Sequence, residues 1–113
     1  MDVSIYEFEG IVVLGIIGSI TGIPESTPLT DQIKSLLGRG KNRFVLDLHD
    51  VDWINSSGIG VIMRNLTAIR SNKGDLKIAR PSLKVKNILE ITRFDEIVGV
   101  YENVDKAVQN FNA

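Results

Sequence analysis

The strongest constraint in this chain is an alternation between short, nearly all-apolar runs and segments with helical spacing. Ile11-Val12-Val13-Leu14-Gly15-Ile16-Ile17 is continuously apolar, and Phe44-Val45-Leu46-Asp47-Leu48 is nearly so. A strand with one wetted face alternates, so a strand without alternation is covered on both faces. Apolar residues then recur at steps of three and four in Leu29, Ile33, Leu36 and Leu37, and again in Ile59, Ile62, Met63, Leu66 and Ile69. Two further sets follow the same rule, Leu83, Val85, Ile88 and Leu89, then Val104, Ala107, Val108 and Phe111. Helices between buried strands return the chain to the same end of a sheet, so the sheet is mostly parallel with right-handed crossovers.

The elements follow in order. Val3 to Phe8 reads as a strand, Glu9-Gly10 as a tight turn and Ile11 to Ile17 as the second strand. The pair forms an antiparallel hairpin at one edge. Gly18 to Pro24 is a loop rich in breakers. Thr27 caps a helix with Pro28 in its first turn, and Gly38 and Gly40 end it. Phe44 to Leu48 is the third strand and His49 to Asp52 a polar loop. A helix runs from Gly58 to about Ser71 and closes on Asn72-Lys73-Gly74. Leu76 to Ala79 is the fourth strand, and Ser82 caps the next helix. Val98 to Tyr101 is the last strand, and Asn103 caps a final helix that packs on the sheet. The expected fold is α/β with the order β-β-α-β-α-β-α-β-α. At 113 residues it is one domain spanning 1–113.

The chemistry narrows to Val51-Asp52-Trp53-Ile54-Asn55-Ser56-Ser57-Gly58-Ile59-Gly60, where the third strand hands over to a helix. Open α/β sheets place functional groups at the carboxyl ends of their strands. Two hydroxyls there can cap the helix, or one can carry a phosphate beside free helical N–H groups. From the residues alone, capping is the first reading of both Ser56 and Ser57. Gly58 and Gly60 lack the lysine and the length of a phosphate loop and are read as close packing. Asp47, Asp50 and Asp52 match no calcium loop, and His49 has no second histidine, so turn chemistry is expected and no metal. Trp53, in step with Val51, is placed in the core. No cysteine is present, and no catalytic constellation or cofactor motif stands out.

Charge bears on partners. The formal net charge of −1 argues against nucleic acid. Residues 59–93 nevertheless carry the bases Arg64, Arg70, Lys73, Lys77, Arg80, Lys84, Lys86 and Arg93 against the acids Asp75 and Glu90. These are read first as solvated helix faces. Asp2 and Glu7 stand where a signal peptide would be basic, and Ile11 to Ile17 is too short to span a bilayer. The expected compartment is therefore the cytoplasm, with no membrane partner and a monomer or weak homodimer.

The element order and the stretch Phe44 to Leu48 followed by Val51 to Val61 resemble the STAS family, best known for bacterial anti-sigma factor antagonists. Gly74-Asp75-Leu76-Lys77-Ile78 and Ile88-Leu89-Glu90-Ile91-Thr92-Arg93-Phe94 extend the resemblance over nearly the whole chain. It implies a protein-binding switch and not an enzyme. It implies that an anti-sigma factor with serine kinase activity phosphorylates Ser56, and that Ser57 is the structural cap and the lesser candidate for the phosphate. A metal-dependent serine phosphatase would reverse the step. The implied docking surface is Thr21, Ile23, Asn55, Ser56, Ser57, Gly58, Ile59, Arg64, Arg80 and Ser82. Ile23 is either an apolar anchor or a plug of the core. Asn55 and Thr21 stand where the family commonly has acids. That departure leaves as an alternative a STAS adaptor that is not phosphorylated and scaffolds a signalling or transport complex, and the basic segment near the Ser56 helix leaves another, a small-ligand or nucleotide-binding module.

Overall fold

The computed structural model describes residues 1–111, so Asn112 and Ala113 of the expected 1–113 domain lie outside the described residues. The strands are β1 (Asp2–Phe8), β2 (Ile11–Ile17), β3 (Arg43–Asp50), β4 (Asp75–Ala79) and β5 (Gly99–Tyr101). The helices are α1 (Thr27–Gly38), α2 (Ser56–Ser71), α3 (Leu83–Ile91) and α4 (Val104–Phe111), with a 3-10 turn at Phe94–Glu96. The sheet order is β1-β2-β3-β4-β5, with β1 antiparallel to β2 and every other neighbour parallel. The expected α/β class, element order and antiparallel edge are those of the structure.

Each parallel strand is added beside the last one in the same direction. Right-handed crossovers then place successive helices on one face of the sheet. That face carries the larger core: Leu14, Phe44, Leu46 and Ile78 under Leu29 and Ile33 of α1, Ile62 and Leu66 of α2, and Val85 and Leu89 of α3. α4 folds back on the opposite face, where Ala107 and Val108 cover Ile11, Val13, Val45 and Ala79. β2 and β3 therefore lie between two layers, which is why neither alternates in sequence.

Local chemistry sets the joints. Glu9 and Gly10 have φ of 55° and 79°, the left-handed pair that a two-residue hairpin turn requires. Ser82 and Asn103 cap as expected, accepting the N–H groups of Val85 at 3.2 Å and Lys106 at 2.8 Å. α1 differs: its N-cap is Ser26, not Thr27. The Ser26 side chain is fully buried and accepts the Gly22 N–H at 3.4 Å. It thus ties the preceding loop to the helix and does not bond to the helix's own first turn. β3 runs on to Asp50, past the expected Leu48, because an irregularity between Gly15 and Ile17 lets Ile17 pair with Asp50. Phe94, the first residue of the 3-10 turn, is buried and seals the core beside α3.

Candidate functional site

The strand-to-helix joint after β3 is built by two loops zipped together. Ile20, after β2, and Ile54, after β3, form an isolated parallel bridge. The Ile20 N–H donates to the Trp53 carbonyl at 2.9 Å, and the Asn55 N–H donates to the Ile20 carbonyl at 3.3 Å. Farther back, the Ser19 hydroxyl donates to Asp52 Oδ1 at 3.1 Å. Ile20 and Ile54 are fully buried, so the joint rests on the core and its upper side is the rim.

Asn55 is the N-cap of α2. Its backbone is extended, at φ −112° and ψ −179°, and its Oδ1 accepts the Gly58 N–H at 2.8 Å. This corrects the assignment of the cap to Ser57. Ser56 and Ser57 occupy the first helical turn, both are exposed, and neither hydroxyl is used in capping. Gly58 is buried, and a Cβ there would overlap the Ile20 carbonyl oxygen. Only glycine lets the helix start this close to the neighbouring loop. Gly22, at φ +115°, has no Cβ either, and one would lie 3.0 Å from Ser57 Cβ. The two loops thus touch where the serines begin.

The other residues expected at the site divide. Thr21 and Ile59 are half-buried beside the joint. Ile23 is 67% exposed, so the structure places it on the surface and not as a core plug. Arg64 lies two turns along α2 on the stripe of Ser56 and Gly60. Its Nη1 comes within 3.9 Å of the position a Gly60 Cβ would take, so the guanidinium folds back toward the helix start. Ser82 remains a cap of α3. Arg80 turns away from this group: Nε and Nη2 donate to Asp47 Oδ1 at 2.9 Å and Oδ2 at 2.6 Å. Asp47 follows Val45 by two in β3 and faces the α4 side. The bond to Asp47, with its charge, raises the Arg80 pKa above the ordinary guanidinium value.

Trp53 departs from its expected place. It is 42% exposed, while Val51 and Ile54 point inward. The segment is a loop with a step of three between buried residues, so a strand's alternation does not apply to it. Lys84 Nζ of α3 sits 4.9 Å from the Trp53 ring centroid, a cation–π contact on the α3 flank of the joint. Sequence spacing held no signal for that pair, because it joins two elements. Asn65, buried in α2 and donating to Thr30 Oγ1 of α1 at 3.2 Å, is hidden from sequence spacing for the same reason.

These features define a class: a small mixed-sheet α/β domain that displays free hydroxyls at a strand-to-helix rim held by two interlocked loops. The chain belongs to the STAS domain family, whose sequence model matches residues 2–107. It is 36% identical over 73 residues to a Thermotoga maritima protein provisionally named an anti-sigma factor antagonist. That stretch covers 65% of this chain and 65% of the length of that curated relative. A crystal structure of a Thermotoga maritima protein with the same provisional name superposes with a TM-score of 0.86 at 26% identity, over 98% of this chain and 95% of that one. The Bacillus cell fate determinant SpoIIAA, in its phosphorylated form, shares the fold with a TM-score of 0.73 at 12% identity, over 97% of this chain and 99% of that one. No helix among the described residues is long and apolar enough to cross a membrane.

Proposed function

We propose that the chain is an anti-sigma factor antagonist, a protein-binding switch and not an enzyme, with Ser56 as the switching residue. Unphosphorylated, the rim formed by Thr21, Ile23, Asn55 to Ile59 and Arg64 docks an anti-sigma factor that has serine kinase activity. The partner phosphorylates Ser56 and is released, and a metal-dependent serine phosphatase resets the chain. The observation that carries this reading is the exposed Ser56 side chain, left free because Asn55 supplies the cap. The names of the Thermotoga relatives point the same way.

Physics supports a local switch. A phosphate adds about −1.5 to −2 charges at neutral pH, and the start of a helix tolerates negative charge. The burden falls on the docked partner, whose close-packed surface would enclose a charge without a counter-ion. A penalty of ~3–4 kcal/mol for burying it weakens binding by roughly two to three decades.

Mass spectrometry of the protein from its own cells tests for phosphoserine at position 56. Pulldowns with wild type, Ser56→Ala and Ser56→Asp test the consequence: Ala retains an ATP-binding kinase partner and Asp loses it. Asn55 and Thr21, in place of acids, favour the adaptor reading as the second choice. On that reading no phosphoserine is found and all three proteins retain the same partner.

A further inference from the structure

α1 and α2 lie side by side, and a groove of about 340 Å³ runs between them. Ile33 and Leu37 of α1 and Ala68 of α2 form its apolar bed, and Ile23 of the loop before α1 adds to the lining. Lys34 and Arg64 stand on opposite rims, and no acidic residue lines it. On α1 the lining positions Thr30, Ile33, Lys34 and Leu37 repeat at three and four, and Arg64 and Ala68 are one turn apart on α2. That spacing suits a third helix settling into the groove of two others. The bed is fixed, because Asn65 donates to both Thr30 Oγ1 and its own helix's Val61 carbonyl, at 3.2 and 3.0 Å.

Charge decides what the occupant is. Among the described residues, Arg70, Lys77, Arg80 and Arg93 of the basic segment are ion-paired and Arg64, Lys73, Lys84 and Lys86 are not; Lys34 is unpaired too, and of these only Lys34 and Arg64 line the groove. An apolar helix laid between Lys34 and Arg64 would strip water from both cations, which is costly unless the occupant brings anions. A second copy docked groove to groove would bring like charges together. We propose that the groove seats an amphipathic helix of the partner, apolar stripe downward, with carboxylates on its flanks against Lys34 and Arg64. α1 has 12 residues, so the occupant is about three turns long.

The groove meets the switch at one residue. Ser56, Gly60 and Arg64 share one stripe of α2, and the Arg64 guanidinium lies back over Gly60. A phosphate on Ser56 and a carboxylate of the occupant would draw on the same cation. This link rests on the proposed phosphorylation switch; occupancy of the groove does not.

The test titrates the full, isotope-labelled chain with a synthetic helical peptide of about 14 residues, carrying leucines at helical spacing and glutamates on both flanks. A lysine-flanked counterpart is the control. The expected result is backbone shifts concentrated at Ile33, Leu37, Asn65 and Ala68, with the glutamate peptide binding at least roughly tenfold tighter. Ala68→Glu, at an exposed position, should weaken it roughly tenfold or more with circular dichroism unchanged, and Arg64→Glu should erase the preference. Equal affinity for both peptides, shifts centred on the Tyr6, Phe8 and Ile17 side of the sheet, or indifference to Ala68→Glu would overturn the proposal. Ser56→Asp in the same titration should weaken the glutamate peptide; an unchanged affinity overturns the shared role of Arg64 and leaves the groove standing. Failure of Ser56→Asp to release a kinase in the pulldown counts against the switch and not against the groove.

Discussion

Asn55 accepts the Gly58 N–H and so spares both neighbouring hydroxyls a structural duty. Asn55→Ala is expected to cost about 1 kcal/mol, read as a lower urea midpoint at unchanged slope. Asn55→Asp keeps the accepting oxygen and adds a carboxylate at the positive end of α2, for an expected gain of ~0.3–1 kcal/mol at neutral pH. The helix end lowers that carboxyl's pKa in the folded state. The gain is therefore full above the unfolded carboxyl pKa and is lost as pH falls through the folded one. At Gly58 two effects compete. Alanine improves helix propensity by about 1 kcal/mol but forces a side chain into the Ile20 carbonyl. Overpacking costs typically ~1–3 kcal/mol, and a backbone carbonyl yields less than a flexible side chain. Gly58→Ala should therefore be net destabilising, seen as a lower Tm. At this scale the sequence misled in one respect. Asn-Ser-Ser offers three capping residues in succession, and only the backbone torsions, extended at Asn55 and helical after it, decide among them.

Among the elements, the loop between β3 and α2 is the one whose burial sequence periodicity misjudged. A two-residue alternation places Trp53 inward, yet the segment pairs only through the Ile20–Ile54 bridge and has no strand to enforce that period. The burial of Phe94 leaves no mark in the sequence, because the 3-10 turn that holds it is too short to show any period. The two aromatic residues should respond oppositely to truncation. Phe94→Ala empties a buried site and should cost ~3–5 kcal/mol. Trp53→Ala removes a half-exposed ring and a cation–π contact worth about 0.5–1 kcal/mol, so it should cost far less. Urea unfolding of both variants gives the comparison. Trp53 is also the chain's single tryptophan, three residues before Ser56, so its emission should report docking at the rim directly.

For the molecule as a whole, the layering was legible because it is demanded by composition along the strands: β2 is apolar throughout, Phe44 to Leu48 of β3 is apolar but for Asp47, and both need cover on both faces. The consecutive strand order was not, since apolar runs carry no record of their neighbours. The orientation of Arg80 was hidden similarly, because its Asp47 partner lies 33 positions away across the sheet. The layering also bounds how far a charge on Ser56 can act. Beneath the rim, Ile20 and Ile54 are fully buried and bridged to each other, and the core under α1 and α2 is continuous below them. Packed interiors resist gradual deformation, so a negative group added outside this seal has no soft path into the sheet. Ser56→Asp should therefore shift backbone resonances in the loops before α1 and α2 and in the first turns of α2, while β1 to β5 keep theirs. Unchanged sheet shifts together with loss of partner binding would place the whole effect at the docking surface. Shifts spread through β2 and β3 would mean instead that the charge is transmitted by the core, and the case for a purely local switch would fail.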